Sequence, residues 1–243
     1  MNDVAAAPLA EPHFRAFADS DALHRTLADE IVARLSQAVA RKGQASLVVP
    51  GGTTPGPLFE ILSRHDAPWD DVTILPSDER WIDPRTQGSI EYLIGKQLRT
   101  ARAAAARFVP FKTAHATARD AEACVGAVVA AVARPFDVVL LGMGTDGHTA
   151  SLIPGANGLA RALDADDAAL VRALNPPDIA VQGERMSLTL HALLNACWIA
   201  LLIRGETKRA AFDWAMAGTD VNAAPVRAIL HQRRTPVEVF WSR

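Results

Sequence analysis

The chain is poor in cysteine. Cys124 and Cys197 are its only two, far apart and in no metal or redox spacing. That excludes a disulfide scaffold and a zinc-ribbon module, and the pair reads as two structural thiols of a reduced, cytoplasmic protein. An excess of charge is missing as well: 25 Lys and Arg face 27 Asp and Glu, for a net charge of -2. A general attraction to nucleic acid or to an anionic membrane is thereby excluded, and an anionic ligand would need a local pocket. No apolar run reaches membrane-spanning length, and residues 1–10 carry no basic segment leading into an apolar one. HExxH, CxxC and GxSxG patterns are absent, as are internal repeats and long linkers. No metal, no cofactor, no nucleophile elbow and no helix-turn-helix output to DNA are therefore expected.

What is present suits a globular α/β protein. Hydrophobic residues make up 49% of the 243, enough for a sizeable core. Leu23, Leu27, Ile31 and Leu35 recur every four residues, which predicts a helix over residues 20–42 with one apolar face, capped by Ser20 and ended by Gly43. Residues 1–18 read as an irregular or extended lead-in. Strands are expected at 45–50, 72–75, 136–141, 170–174, 186–190, 198–203 and 237–241, from short apolar, β-branched runs. Helices are expected up to about 64, at 89–99, at 206–217 and at 118–133, the last facing inward with Ala121, Cys124, Val125, Val128 and Val132. The Ala/Asp-rich stretch 156–167 reads as a surface loop or short helix. This alternation predicts one α/β domain over residues 1–243, a three-layer fold with a mostly parallel twisted sheet and helices on both faces.

Ligands of such sheets bind beyond the carboxyl ends of the strands. Three polar clusters fall there. In Gly51-Gly52-Thr53-Thr54-Pro55 the glycines allow close backbone approach, Thr53 or Thr54 can cap the following helix, and free amides at a helix start attract an anion. An ordinary tight turn would look the same. Asp78-Glu79-Arg80-Trp81 offers a guanidinium for a phosphate or carboxylate, and a carboxylate to orient a catalytic group or a sugar hydroxyl. A solvated charge run is the plainer reading of those residues.

The third cluster, Gly142-Met143-Gly144-Thr145-Asp146-Gly147-His148, matches the dinucleotide fingerprint G-x-G-x-x-G in form. The fingerprint needs a long crossover helix behind it, and Pro154-Gly155 breaks the chain too soon. No strand ending in an acidic residue follows at the expected distance. What remains is a small loop presenting His148 beside Asp146, with room for a ligand. Histidine takes and gives protons near neutral pH, so His148 would act on water directly. Ser151 has no elbow to serve as nucleophile.

Together the clusters resemble the 6-phosphogluconolactonase family of the pentose phosphate pathway. The resemblance runs from Leu47 to the C-terminus through Pro50-Gly51-Gly52-Thr53-Thr54-Pro55, Ser77-Asp78-Glu79-Arg80-Trp81, the run from Gly142 to Gly155, Arg185-Met186-Ser187-Leu188-Thr189 and Gly205-Glu206-Thr207-Lys208. It implies a modified Rossmann-like fold shared with glucosamine-6-phosphate deaminases. It further implies phosphate binding by Gly51, Gly52, Thr53, Thr54, Arg80 and Lys208, substrate contacts from Gly144 and, at the rim, Arg185, and His148 as acid/base. Asp146 or Asp78 would orient His148, and amides of the 144–147 loop or Arg80 would stabilise the oxyanion. The implied partner is a sugar-phosphate lactone, taken by a monomer. One departure stands out: Ser89-Ile90 replaces the family's usual Ser-Asn. The deaminases continue after their histidine with Ile-Ala-Phe-Asn-Glu-Pro, where this chain has Thr149-Ala150-Ser151-Leu152-Ile153-Pro154, without the acid and amide that amine loss needs. A sugar-phosphate sensor would keep the phosphate loop but could dispense with His148.

Overall fold

The apolar runs pair into two sheets in a computed structural model that describes residues 11–243. In chain order the elements are β1 (His13–Phe17), α1 (Ser20–Lys42), β2 (Ala45–Val49), α2 (Gly56–Arg64), β3 (Val72–Pro76), β4 (Asp78–Arg80), α3 (Ile90–Gln97), β5 (Arg107–Phe108), α4 (Ala118–Ala130) and β6 (Val138–Leu141). They continue with α5 (Leu159–Ala162), β7 (Val171–Leu174), α6 (Ile179–Gln182), β8 (Arg185–Leu188), α7 (Leu190–Leu194), β9 (Ile199–Arg204), α8 (Glu206–Ala217), α9 (Arg227–Leu230) and β10 (Val237–Ser242). The larger sheet has seven strands, all parallel, in the order β1-β10-β9-β6-β2-β3-β5.

Period-two alternation builds the layers. Val139 and Leu141 of β6 and Ile199, Leu201 and Ile203 of β9 join one apolar cluster with α4, α7, α8 and α9. Their neighbours Val138, Leu140, Ala200 and Leu202 join the other, under α1, α2 and α3. The result is the expected α/β fold, helices on both faces of a mostly parallel sheet. The Leu23, Leu27, Ile31, Leu35 stripe is fully buried in the second cluster.

Several local expectations change. The cap of α1 is Asp19, whose carboxylate accepts the Ala22 amide at 2.7 Å, not Ser20; Gly43 does end the helix, at φ 75°. Part of the lead-in is β1, an edge strand, while residues 1–10 lie outside the described ones. In α4 the buried stripe is Ala118, Ala121, Val125 and Val129, so Val128 and Cys124 face outward. Both cysteines are exposed rather than structural. Residues 171–174 and 185–188 are strands, but they leave the main sheet. With β4 they form a separate antiparallel sheet, order β4-β8-β7. No helix among the described residues is long and apolar enough to cross a membrane.

The order of the large sheet reverses between β2 and β6. From β2 the chain moves outward to β3 and β5; from β6 it moves the other way to β9 and β10. That switch point opens a crevice at the carboxyl ends of β2 and β6, where the 50–55 and 142–151 loops meet.

Candidate active site

The crevice is a pocket of about 310 Å³. Gly51, Gly52, Thr53, Thr54, Asp78, Arg80, Gly144, His148, Arg185 and Lys208 all line it. Of the residues expected at the site only Asp146 stands behind the wall, in contact with His148.

β2 ends at Val49, and the chain turns through Gly52 at φ 91° into α2. The expected threonine cap is not made: Pro55 is the N-cap residue, with no side-chain hydrogen bond. The amides of Gly51, Gly52, Thr53 and Thr54 donate to nothing among the described residues. The loop before α2 therefore faces the pocket with free N–H groups, beside the positive end of the helix dipole. Gly51 is dictated by Ile90. A Cβ there would lie 2.6 Å from Ile90 Cγ1 and 2.7 Å from Cδ1. The residue that departs from the family's asparagine is thus packed, nearly buried, against the back of the loop.

Three cations converge on the same space. Arg80 of β4 and Arg185 of β8 are register partners, side by side across the antiparallel pair. Lys208 arrives from the first turns of α8 and donates to the Met143 carbonyl at 2.7 Å. None of the three has a carboxylate within ion-pair distance among the described residues. Arg185 is half-buried where it lines the pocket, and its Nε is buried without a partner. Burial lowers the pKa of Arg185 and of Lys208, against the opposing fields of Asp78 and Asp146 respectively. Unpaired, partly desolvated cations beside the free amides of the 51–54 loop make a site for a doubly charged anion.

The charged cluster after β3 is no solvated run. Asp78 and Glu79 are buried in β4. Glu79 accepts from the amides of Arg80, Ile90 and Glu91 and from the Ser89 hydroxyl, so it anchors the start of α3; burial still raises its pKa. Asp78 accepts from Ser77 Oγ at 2.7 Å and Ser151 Oγ at 2.5 Å, and makes no hydrogen bond to His148. Ser151 is fully buried. It serves as a tie between the histidine loop and β4, a role only the folded chain shows.

The histidine loop closes on itself. Gly144 N–H donates to the His148 carbonyl at 2.8 Å, and Gly147 N–H to the Gly144 carbonyl at 3.1 Å. Those two amides are spent, so they are not the expected oxyanion donors. Asp146 Oδ1 lies 2.6 Å from His148 Nδ1 and also accepts the His148 amide. The hydrogen bond from His148 pulls Asp146 down to about 2, although burial opposes it. An ionised Asp146 fixes the proton of neutral His148 on Nδ1 and leaves the Nε2 lone pair free. Nε2 has no hydrogen bond among the described residues. Gly144 permits this pairing, since a Cβ there would collide with His148 Nδ1 and Asp146 Oδ1. Ala150, in the pocket wall, sits at φ 49°, a left-handed conformation unusual for alanine. Beyond the loop only the four-residue α5 follows before β7, so the crossover helix of a dinucleotide fold is missing, as Pro154-Gly155 implies.

Residues 18–241 match the model of the glucosamine-6-phosphate isomerases/6-phosphogluconolactonase family. The chain is similar to a 6-phosphogluconolactonase of Mesorhizobium japonicum, 42% identical over 95% of each chain. It is 39% identical to one of Rhizobium meliloti, over 93% of this chain and 97% of that one. A crystal structure of a 6-phosphogluconolactonase from Shewanella baltica superposes with a TM-score of 0.93 at 40% identity, covering 98% of this chain and 100% of the other.

Proposed function

The chain belongs to the glucosamine-6-phosphate isomerases/6-phosphogluconolactonase family, and from that premise we propose that it hydrolyses 6-phospho-D-glucono-1,5-lactone to 6-phospho-D-gluconate, with His148 as general acid/base. The observation that carries this reading is one pocket holding two complementary halves. One half is the unpaired cations and free amides; the other is a histidine oriented by a carboxylate, with its outer nitrogen open.

The phosphate docks on the 51–54 amides, Arg80 and Lys208. Binding there, remote from the reacting bond, positions the lactone carbonyl near His148. Nε2 takes a proton from water as the water attacks the carbonyl carbon. Negative charge builds on the carbonyl oxygen beside Arg185, which stabilises it. His148, now an imidazolium held by Asp146, gives the proton to the departing ring oxygen, and the ring opens to a carboxylate. Asp78, fixed by Ser77 and Ser151, is placed to accept a sugar hydroxyl.

A proton-release assay with freshly generated lactone tests the reading. Each ring opened yields one carboxylic acid, so acidification above the uncatalysed rate is expected, with no ammonia from glucosamine 6-phosphate. Acidification at the spontaneous rate, or ammonia release, contradicts it.

A further inference from the structure

We propose that Arg227 is a positioning residue that holds the histidine loop from outside the pocket, by way of Gly147. The inference rests on the lactonase reading for its kinetic readout but on its own geometry for its cause.

Arg227 is only 4% exposed. A buried cation ordinarily has a carboxylate partner. Arg227 has none within ion-pair distance among the described residues. Its guanidinium instead donates to three main-chain carbonyls: Nε to Ala215 at 3.0 Å, Nη1 to Asp220 at 2.8 Å and Nη2 to Trp214 at 3.2 Å. It also lies 4.5 Å from the centroid of the Trp214 ring. Two of those carbonyls belong to the last turn of α8, where unsatisfied acceptors and the dipole favour a cation. The fork therefore ties the end of α8 to the 218–226 loop, and Gly218 leaves it room, since a Cβ there would collide with the guanidinium.

That loop presses on the residue just before His148. Val226 N–H donates to the Gly147 carbonyl at 2.9 Å. Gly147 sits at φ 77°, and a Cβ on it would lie 2.7 Å from Ala224 Cβ and 3.3 Å from Trp214 Cζ3. On the pocket side the same loop is held by the Asp146–His148 pair. His148 is thus fixed between Asp146 within and the Arg227-built loop behind.

Arg227→Lys keeps the charge and loses the planar fork. The expected result is a kcat lower by roughly 10- to 100-fold, the scale of an ångström-sized misplacement, with KM and 6-phosphogluconate binding essentially unchanged. Amide hydrogen exchange should rise across residues 142–150 while β2 and β6 keep their protection. Exchange needs no substrate, so it decides the matter even if the wild type proves inactive and the lactonase reading falls. Wild-type kcat with wild-type exchange at 142–150 overturns the inference. So does a uniform rise in exchange over the whole sheet, which would make Arg227 a residue of the fold alone. If Arg227→Lys does not fold, Ala224→Gly removes only the methyl resting against Gly147. Faster exchange at 142–150 in that variant supports the inference, and unchanged exchange overturns it.

Discussion

Gly51→Ala probes the back of the 51–54 loop. The added methyl would stand 2.6 Å from Ile90 Cγ1, about 0.8 Å inside ordinary contact. Ile90 has little freedom to retreat: it is the first residue of α3, its amide is held by Glu79 at 2.8 Å, and it is 7% exposed. The loop must move instead. Overpacking of this kind costs about 1–3 kcal/mol. Ile90→Ala removes both offending carbons and leaves only Cβ, at an acceptable 3.6 Å. Alone that substitution opens a cavity and costs about 2–5 kcal/mol. Combined, the new methyl occupies part of the space the isoleucine vacates. Urea unfolding of the wild type, both single variants and the double variant should give a favourable coupling of about 1–3 kcal/mol. Because the displaced amides face the pocket where the phosphate is proposed to dock, Gly51→Ala should raise KM on the order of tenfold with kcat nearly unchanged, an effect of about 1.4 kcal/mol on binding alone. The double variant should recover most of that loss. Additive unfolding energies, or a KM in the double variant as high as in Gly51→Ala, would refute the reasoning.

Other expectations follow from the same geometry. Arg80→Ala and Lys208→Ala should each raise KM about 10- to 100-fold, the worth of one charge-assisted hydrogen bond, with a smaller effect on kcat; initial-rate kinetics at several lactone concentrations checks this. Asp146→Asn should lower kcat by about 10²- to 10⁴-fold, because a neutral amide no longer fixes the proton on Nδ1 or supports the imidazolium; an active Asn variant would dissociate the pair from catalysis. Asp146 also links stability to acid. Its carboxyl sits at about 2 in the folded chain against an ordinary 3.8, so its contribution is complete above pH 3.8 and disappears as pH falls through 2. The side chain is half-exposed, which keeps the contribution to about 1 kcal/mol or less; acid titrations followed by circular dichroism should show a flatter acid limb in the Asn variant. Ser151→Ala leaves buried Asp78 with one hydroxyl donor fewer and should cost about 1–3 kcal/mol in unfolding free energy.

The two loops at the centre of the site were legible because their chemistry is local. Consecutive glycines before a helix and a histidine two residues from an aspartate announce themselves wherever they fall, and Pro154-Gly155 rules out the nucleotide reading without a structure. The five inner strands of the parallel sheet were legible for a similar reason, since each is one apolar run, whereas the edge strands β1 and β5 carry no such run. The antiparallel sheet was not. β4 is three polar residues long, and its pairing with β8 joins positions distant in sequence, which no local pattern records. The burial of Asp78 and Glu79 was hidden because their compensation comes from elsewhere, from Ser151 and from the start of α3. Thr53 and Thr54 looked like caps, yet Pro55 takes that position and leaves the amides free. Arg227 gave no signal at all, because its partners are main-chain carbonyls that any sequence would supply.

His148→Ala, measured for both turnover and binding, bears most directly on the role given to this histidine. Proton release from fresh lactone should fall by about 10²- to 10⁴-fold after subtraction of the uncatalysed rate. Calorimetric affinity for 6-phosphogluconate should stay close to wild type, since the cations and the 51–54 amides are untouched. Turnover retained in that variant would show that His148 is not the acid/base.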